Sequence, residues 1–192
     1  MRNIAISFVL SLFGVASLCA QNCQELQKAT SVGLLHFLNR DVPSDRSAEC
    51  VAFAIKTLGD RHYEPARSVL TRFLDFRRPP TDEEKVGVIT FHTFYPATNA
   101  LAEIGKACLP NLLKVVESGS ASAKARENAV TVWMTLHENT PEGVASLKRA
   151  AMERTAPSAK GLLDWAASNA VQWCGPGDMP KCRAAAKTGY PD

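Results

Sequence analysis

Four histidines, His36, His62, His92 and His137, are the residues of this 192-residue chain best suited to hold a metal. None stands at ligand spacing from another histidine, a cysteine or a carboxylate, as a His-Glu-x-x-His helix would require. His137-Glu138 runs directly into Asn139-Thr140-Pro141, which reads as a helix cap and not a site. There is no glycine-rich phosphate loop and no Gly-x-Ser-x-Gly elbow. No metal, no cofactor and no catalytic residue is therefore expected. The densest chemistry lies elsewhere: Arg72, Arg77, Arg78 and Lys85 stand close to Phe91, His92, Phe94 and Tyr95. Arginine beside aromatics is the composition of binding hot spots, so Arg72, Arg77, Arg78, Phe91, His92, Phe94 and Tyr95 form a candidate partner-binding edge. The same residues also suit a solvated loop whose aromatics fill a gap between helices.

Cysteine chemistry depends on where the chain resides. Arg2 followed by an apolar run from Ile4 to Leu18, small residues at Cys19-Ala20 and polar Gln21-Asn22 has the layout of a secretory signal peptide, with cleavage expected after Ala20. Leu18 is bulky where a lipoprotein signal needs a small residue. No later segment is apolar for the roughly 20 residues that a bilayer crossing needs. The expected compartment is thus outside the cytoplasm, secreted or periplasmic, where disulfides persist.

Five cysteines follow residue 20, an odd number that leaves at least one thiol unpaired within the chain. Cys174 and Cys182 flank seven residues that include Gly175, Pro176, Gly177 and Pro180, a loop that closes easily. Cys23 and Cys50 then pair by elimination. That bridge can form only if residues 21–29 fold back, because a helix begun at Cys23 would carry it well over 10 Å from Cys50 at about 1.5 Å per residue. Cys108 sits near a helix start, where a thiolate would be stabilised. It also takes a place suited to a small apolar residue, which makes it a buried structural cysteine and the free thiol.

Helices must position all of these residues. Apolar residues at helical spacing predict helices over Gln24–Asn39, from Ser44 or Asp45 to Leu58, and over Pro65–Phe76, Pro96–Ile104, Leu109–Glu117, Ala123–Leu136 and Ser158–Trp173, with another opened by Pro141. Gly59 reads as the stop of its helix. Residues 77–95 interrupt the pattern: Pro79-Pro80 breaks the helix, and Val86–Tyr95 is rich in β-branched and aromatic residues. Such long connections are often functional. Residues 174–192 read as a turn-rich tail, and Trp165 and Trp173 as a cap on the last hydrophobic layer.

One phrase occurs twice. Ala54-Ile55-Lys56-Thr57-Leu58-Gly59-Asp60 leads into Pro65-Ala66-Arg67-Ser68-Val69-Leu70, and Ala100-Leu101-Ala102-Glu103-Ile104-Gly105 leads into Cys108-Leu109-Pro110-Asn111-Leu112-Leu113. A weaker third copy has Leu136-His137 in place of Leu-Gly. The pattern resembles HEAT-type repeats, in the short form common in bacterial repeat proteins. The resemblance implies an all-α solenoid of about three to four helix pairs over residues 21–173, with an irregular insert at 77–95, and a surface that binds a partner.

Two functional classes follow. The first is an exported scaffold that binds a protein or peptide partner through its helical surface. The second is an enzyme of lyase or modifying type with its site near the 77–95 insert. The formal charge of +3 is too near neutral to argue for nucleic acid or an anionic membrane.

Overall fold

The computed structural model describes residues 23–40, 48–78 and 94–190, and all regular structure among them is helical. The signal-like segment 1–20, Phe91, His92 and most of the 77–95 insert lie outside these residues.

The first predicted helix is two. A single turn, α1 (Gln24–Gln27), is separated from α2 (Ser31–Asn39) by Thr30, whose extended backbone and side-chain oxygen cap the new helix. Gly33 N donates to Thr30 Oγ1 at 3.2 Å. This break is the fold-back that a Cys23–Cys50 bridge demands. Cys23 and Cys50 are disulfide-bonded, with their Cα atoms 5.2 Å apart. Cys50 lies near the start of α3 (Ala48–Asp60). Just beyond the end of α3, Arg61 Nη1 donates to the Ala29 carbonyl at 3.0 Å. Residues 23–29 therefore lie alongside α3, tied to its start by the disulfide and to its end by the long Arg61 side chain, before α2 returns antiparallel to it.

Cys50, Val51, Ala54, Ile55 and Leu58 form the buried stripe of α3. Gly59 is not its stop. The helix continues to Asp60, Gly59 is buried inside it, and the left-handed residue that closes the turn is His62, at φ 47°. The next segment is wound more tightly than the single predicted helix over Pro65–Phe76. A 3-10 turn (Glu64–Ala66) leads into α4 (Arg67–Leu70) and a second 3-10 turn (Thr71–Phe73). Thr71 Oγ1 donates back to the Ser68 carbonyl at 2.9 Å, a local bond that competes with the regular helical ladder.

Four helices follow the predicted pattern closely. They are α5 (Pro96–Ile104), α6 (Leu109–Glu117), α7 (Ala123–Leu136) and α8 (Pro141–Met152). Proline opens α5 and α8, where a missing N–H costs nothing. Gly105, at φ 90°, ends α5, while Ser122 caps α7 by accepting from Ala125 N at 3.0 Å. α9 (Pro157–Ala170) ends in a 3-10 turn through Trp173.

The C-terminal segment differs from a turn-rich tail. Residues 175–178 turn, but Met179–Thr188 form α10, with Pro180 in its first turn and Gly189 as its left-handed cap. Cys182 on this helix is bonded to Cys174, which fixes α10 to the end of α9. α10 packs on α8, so this helix covers the last layer. Trp165 packs against the core, but Trp173 remains 39% exposed and does not act as the lid.

α3, α5, α7 and α9 pack in succession, while α6 lies against α7 and α9, and α8 against α9 and α10. One continuous core runs through them, from Leu34, Leu38, Ile55 and Leu58 to Leu101, Leu112, Met134, Leu147 and Leu163. Fully buried Ala129, Ala145, Ala151, Ala166, Ala167 and Ala170 let α7, α8 and α9 approach closely. Buried polar groups serve as ties. Asn128 Nδ2 donates to the Leu74 carbonyl at 2.5 Å, joining α7 to the end of the α4 segment. Trp133 Nε1 donates to Gly143 O and Ser146 Oγ, joining α7 to α8.

Candidate partner-binding grooves

Where α3 lies against α5, their outer faces leave an open groove of about 500 Å³. α3 presents Glu49, Ala52, Phe53, Lys56 and Asp60, a spacing that places all five on one helical face. α5 supplies Pro96, Asn99, Ala100 and Glu103. Ala52, Phe53, Pro96 and Ala100 make an apolar floor, and Glu49, Lys56, Asp60, Arg78 and Glu103 line it with both signs of charge. Lys56 Nζ holds Asp60 Oδ2 at 2.5 Å on the exposed rim. Such an exposed pair contributes little to stability and leaves both groups able to exchange partners.

The groove has its shape because two helices approach closely at one end. A Cβ built on Gly59 would lie 2.5 Å from Ala100 Cα, so glycine sets the α3–α5 separation. His62 Nδ1 stands 2.5 Å from the Glu103 carbonyl and joins the helix ends on that side.

The two ends of the 77–95 insert meet beside this groove. Arg78 N donates to the Phe94 carbonyl at 3.1 Å, and the Arg77 guanidinium lies 4.9 Å from the centre of the Phe94 ring, a cation–π contact. Tyr95 caps α5: its carbonyl accepts from Thr98 N at 3.0 Å and Thr98 Oγ1 at 2.7 Å. Lys124 Nζ stands 5.9 Å from the centre of the Tyr95 ring. Of the candidate cluster, Arg77, Arg78, Phe94 and Tyr95 are thus brought together. Arg72 is not with them. It donates to Asn39 Oδ1 at 3.3 Å and lines a different cleft, between α4 and α6.

Among the described residues, no group of three or more His, Cys, Asp or Glu side chains could hold a metal ion. Cys108 is free and fully buried, and burial pushes its thiol pKa up to about 11, with Arg67 opposing and Glu64 adding to the shift. A thiol held so firmly protonated is a poor nucleophile. His137 stacks at 5.4 Å on Trp133, and its Nε2 is buried with no hydrogen-bond partner. Burial first, then Lys106, holds its pKa below the ordinary histidine value.

The groove residues on α3 and α5 were not among the candidates from the sequence. One signal for them existed. Phe53 is a large apolar residue off the Val51–Ile55–Leu58 stripe, and it has no place in the core pattern unless it faces a second surface.

Comparison of the chain with protein-family models, with curated proteins and with solved structures finds no match.

Proposed function

We propose that this protein is an exported interaction module that binds an extended segment of a protein partner in the α3–α5 groove. The observation that carries the reading is the groove itself, an apolar floor of Ala52, Phe53, Pro96 and Ala100 walled by Glu49, Lys56, Asp60, Arg78 and Glu103. Recognition sites of this build take apolar side chains on the floor, and their charges fix register at the rim. The succession α3, α5, α7, α9 supports a HEAT-like solenoid, in which stacked helices expose long grooves of this kind. Export is supported by the two disulfides, Cys23–Cys50 and Cys174–Cys182, which suit an oxidising compartment. In addition, no described helix is long and apolar enough to cross a membrane.

The test is capture from host extract under non-reducing conditions, with the disulfide-intact protein and an Asn99→Trp variant side by side. Asn99 is exposed on the groove wall, so the substitution fills the groove without entering the core. The reading requires a stoichiometric partner held by the parent protein and released by Asn99→Trp. Equal retention by both would remove the groove from the account.

A further inference from the structure

We propose that the recess between α7 and the end of α9 is a binding site for a neutral saccharide, with one sugar ring stacked on Trp173. It is a further activity of the molecule and does not depend on the α3–α5 groove.

The recess measures about 300 Å³, large enough for one sugar ring but at the small end of ligand pockets. α7 presents Lys124, Glu127, Asn128 and Thr131 to it, a spacing that places all four on one helical face. The end of α9 presents Asn169, Gln172 and Trp173. Buried Asn128, Val130 and Thr131 close the floor, while Glu127, Gln172 and Trp173 stand exposed at the mouth. Trp173 takes no part in the core, yet it is held in place. It lies in the 3-10 turn that ends α9, and the next residue, Cys174, is bonded to Cys182 of α10. A fixed aromatic loses little further freedom when a ligand settles on it.

Two properties select the ligand. The first is that charge in the recess cancels: Lys124 Nζ pairs with Glu127 Oε2, and every other lining residue is neutral. An ionic ligand would be left with its own charge unpaired. The second is an excess of acceptors. Asn169 Nδ2 is committed to the Trp165 carbonyl at 3.0 Å, which leaves its Oδ1 to accept. Thr131 Oγ1 donates to the Glu127 carbonyl at 3.0 Å, so its oxygen also remains an acceptor. Gln172 makes no side-chain hydrogen bond among the described residues and offers both a donor and an acceptor. A ligand with several hydroxyls supplies the missing donors. A pyranose carries them around its edge and presents C–H groups on one face, which suit the electron-rich face of an indole.

The test is an array of neutral, sialylated and sulfated glycans probed with labelled disulfide-intact protein, followed by calorimetry with the neutral glycan held best. At least one neutral glycan is expected to bind, with an affinity that does not change with salt. Trp173→Ala should weaken it about tenfold or more, and Trp173→Phe less, because a ring remains to stack. Gln172→Ala should weaken it about threefold or more through a lost hydrogen bond. Both residues are exposed, and a circular dichroism spectrum like the parent's shows that each variant is folded. Asn99→Trp, in the α3–α5 groove, leaves this binding unchanged. No neutral glycan bound, or equal affinity in Trp173→Ala, would overturn the proposal. Binding confined to sialylated or sulfated glycans would overturn the neutral assignment. Tetramethylammonium that binds more tightly at the same residues would overturn the saccharide in favour of a cation site. None of these results bears on capture through the α3–α5 groove, so the two proposals fail separately.

Discussion

Gly59 in α3 stands so close to Ala100 in α5 that a Cβ built on it would lie 2.5 Å from Ala100 Cα and 2.7 Å from Ala100 Cβ. The obstacle is backbone, which cannot swing aside, so any side chain at 59 pushes the two helices apart. Gly59→Ala should lower stability by about 1–3 kcal/mol through overpacking, read as a lower urea midpoint at unchanged slope. Ala100→Gly should restore only part of the loss, because it removes the Ala100 methyl group and leaves the backbone of α5 where it was.

Gly105 serves a different purpose. A Cβ there meets nothing within 4 Å, but the backbone is at φ 90°, ψ −162°, a region open almost only to glycine. Gly105→Ala should cost about 1–3 kcal/mol as conformational strain, with no rescue by any change at Ala100. Coupling between Gly105→Ala and Ala100→Gly in a double-mutant cycle would contradict this division.

Among the described residues, Cys108 should be the single reactive thiol, and only after unfolding. With its thiol pKa at about 11 and its side chain fully buried, iodoacetamide at pH 8 should leave native protein unmodified. In denaturant without reductant, one adduct is expected within residues 23–190, because Cys23, Cys50, Cys174 and Cys182 are paired. Adducts at other cysteines after residue 20 would contradict the pairing.

His137 should make the protein less stable in mild acid. Its folded pKa lies below the ordinary value of 6.5, through burial and then Lys106 and Arg149, with Glu142 opposing. As pH falls below 6.5 the unfolded chain takes up the proton first, so stability present above that pH is lost toward the folded pKa. His137→Gln removes the titration, and its denaturation midpoint should vary less than the parent's across that window. Parallel pH profiles would show that another group is responsible.

Asn128 is fully buried, with Nδ2 on the Leu74 carbonyl and Oδ1 unpartnered. Asn128→Ala should cost about 1–3 kcal/mol by leaving that carbonyl without its donor. Asn128→Asp should cost more, since a carboxylate cannot donate and a buried charge adds its own penalty. If Asp were tolerated as well as Ala, the bond to Leu74 would not be the reason for the residue.

The sequence made the helices legible where caps were local. Pro96, Ser122 and Pro141 open α5, α7 and α8 at the positions that the spacing predicts. It did not distinguish Leu58-Gly59 from Ile104-Gly105, because one glycine answers to a neighbouring helix and the other to its own backbone. Clustered glycines and prolines at 175–180 obscured α10, although Pro180 and Gly189 are ordinary start and stop signals. Of the candidate cluster, Arg77 and Arg78 lie beside Phe94, next to Tyr95 in the chain, while Arg72 reaches Asn39 instead. That bond, from the Arg72 guanidinium to the end of α2, is a long-range contact that no local pattern records. No local spacing marks Glu49, Lys56 and Glu103, which meet around one groove only because α5 lies beside α3.

Site-specific photocrosslinking from position 99 tests the central claim most directly. A photoreactive phenylalanine analogue replaces Asn99 in the groove or, as a control, the exposed Lys187 on α10, and both proteins are irradiated in host extract. The account predicts one discrete crosslinked protein from position 99, absent from position 187 and competed away by excess unlabelled parent protein. Crosslinks of equal pattern from both positions, or none from position 99, would contradict it.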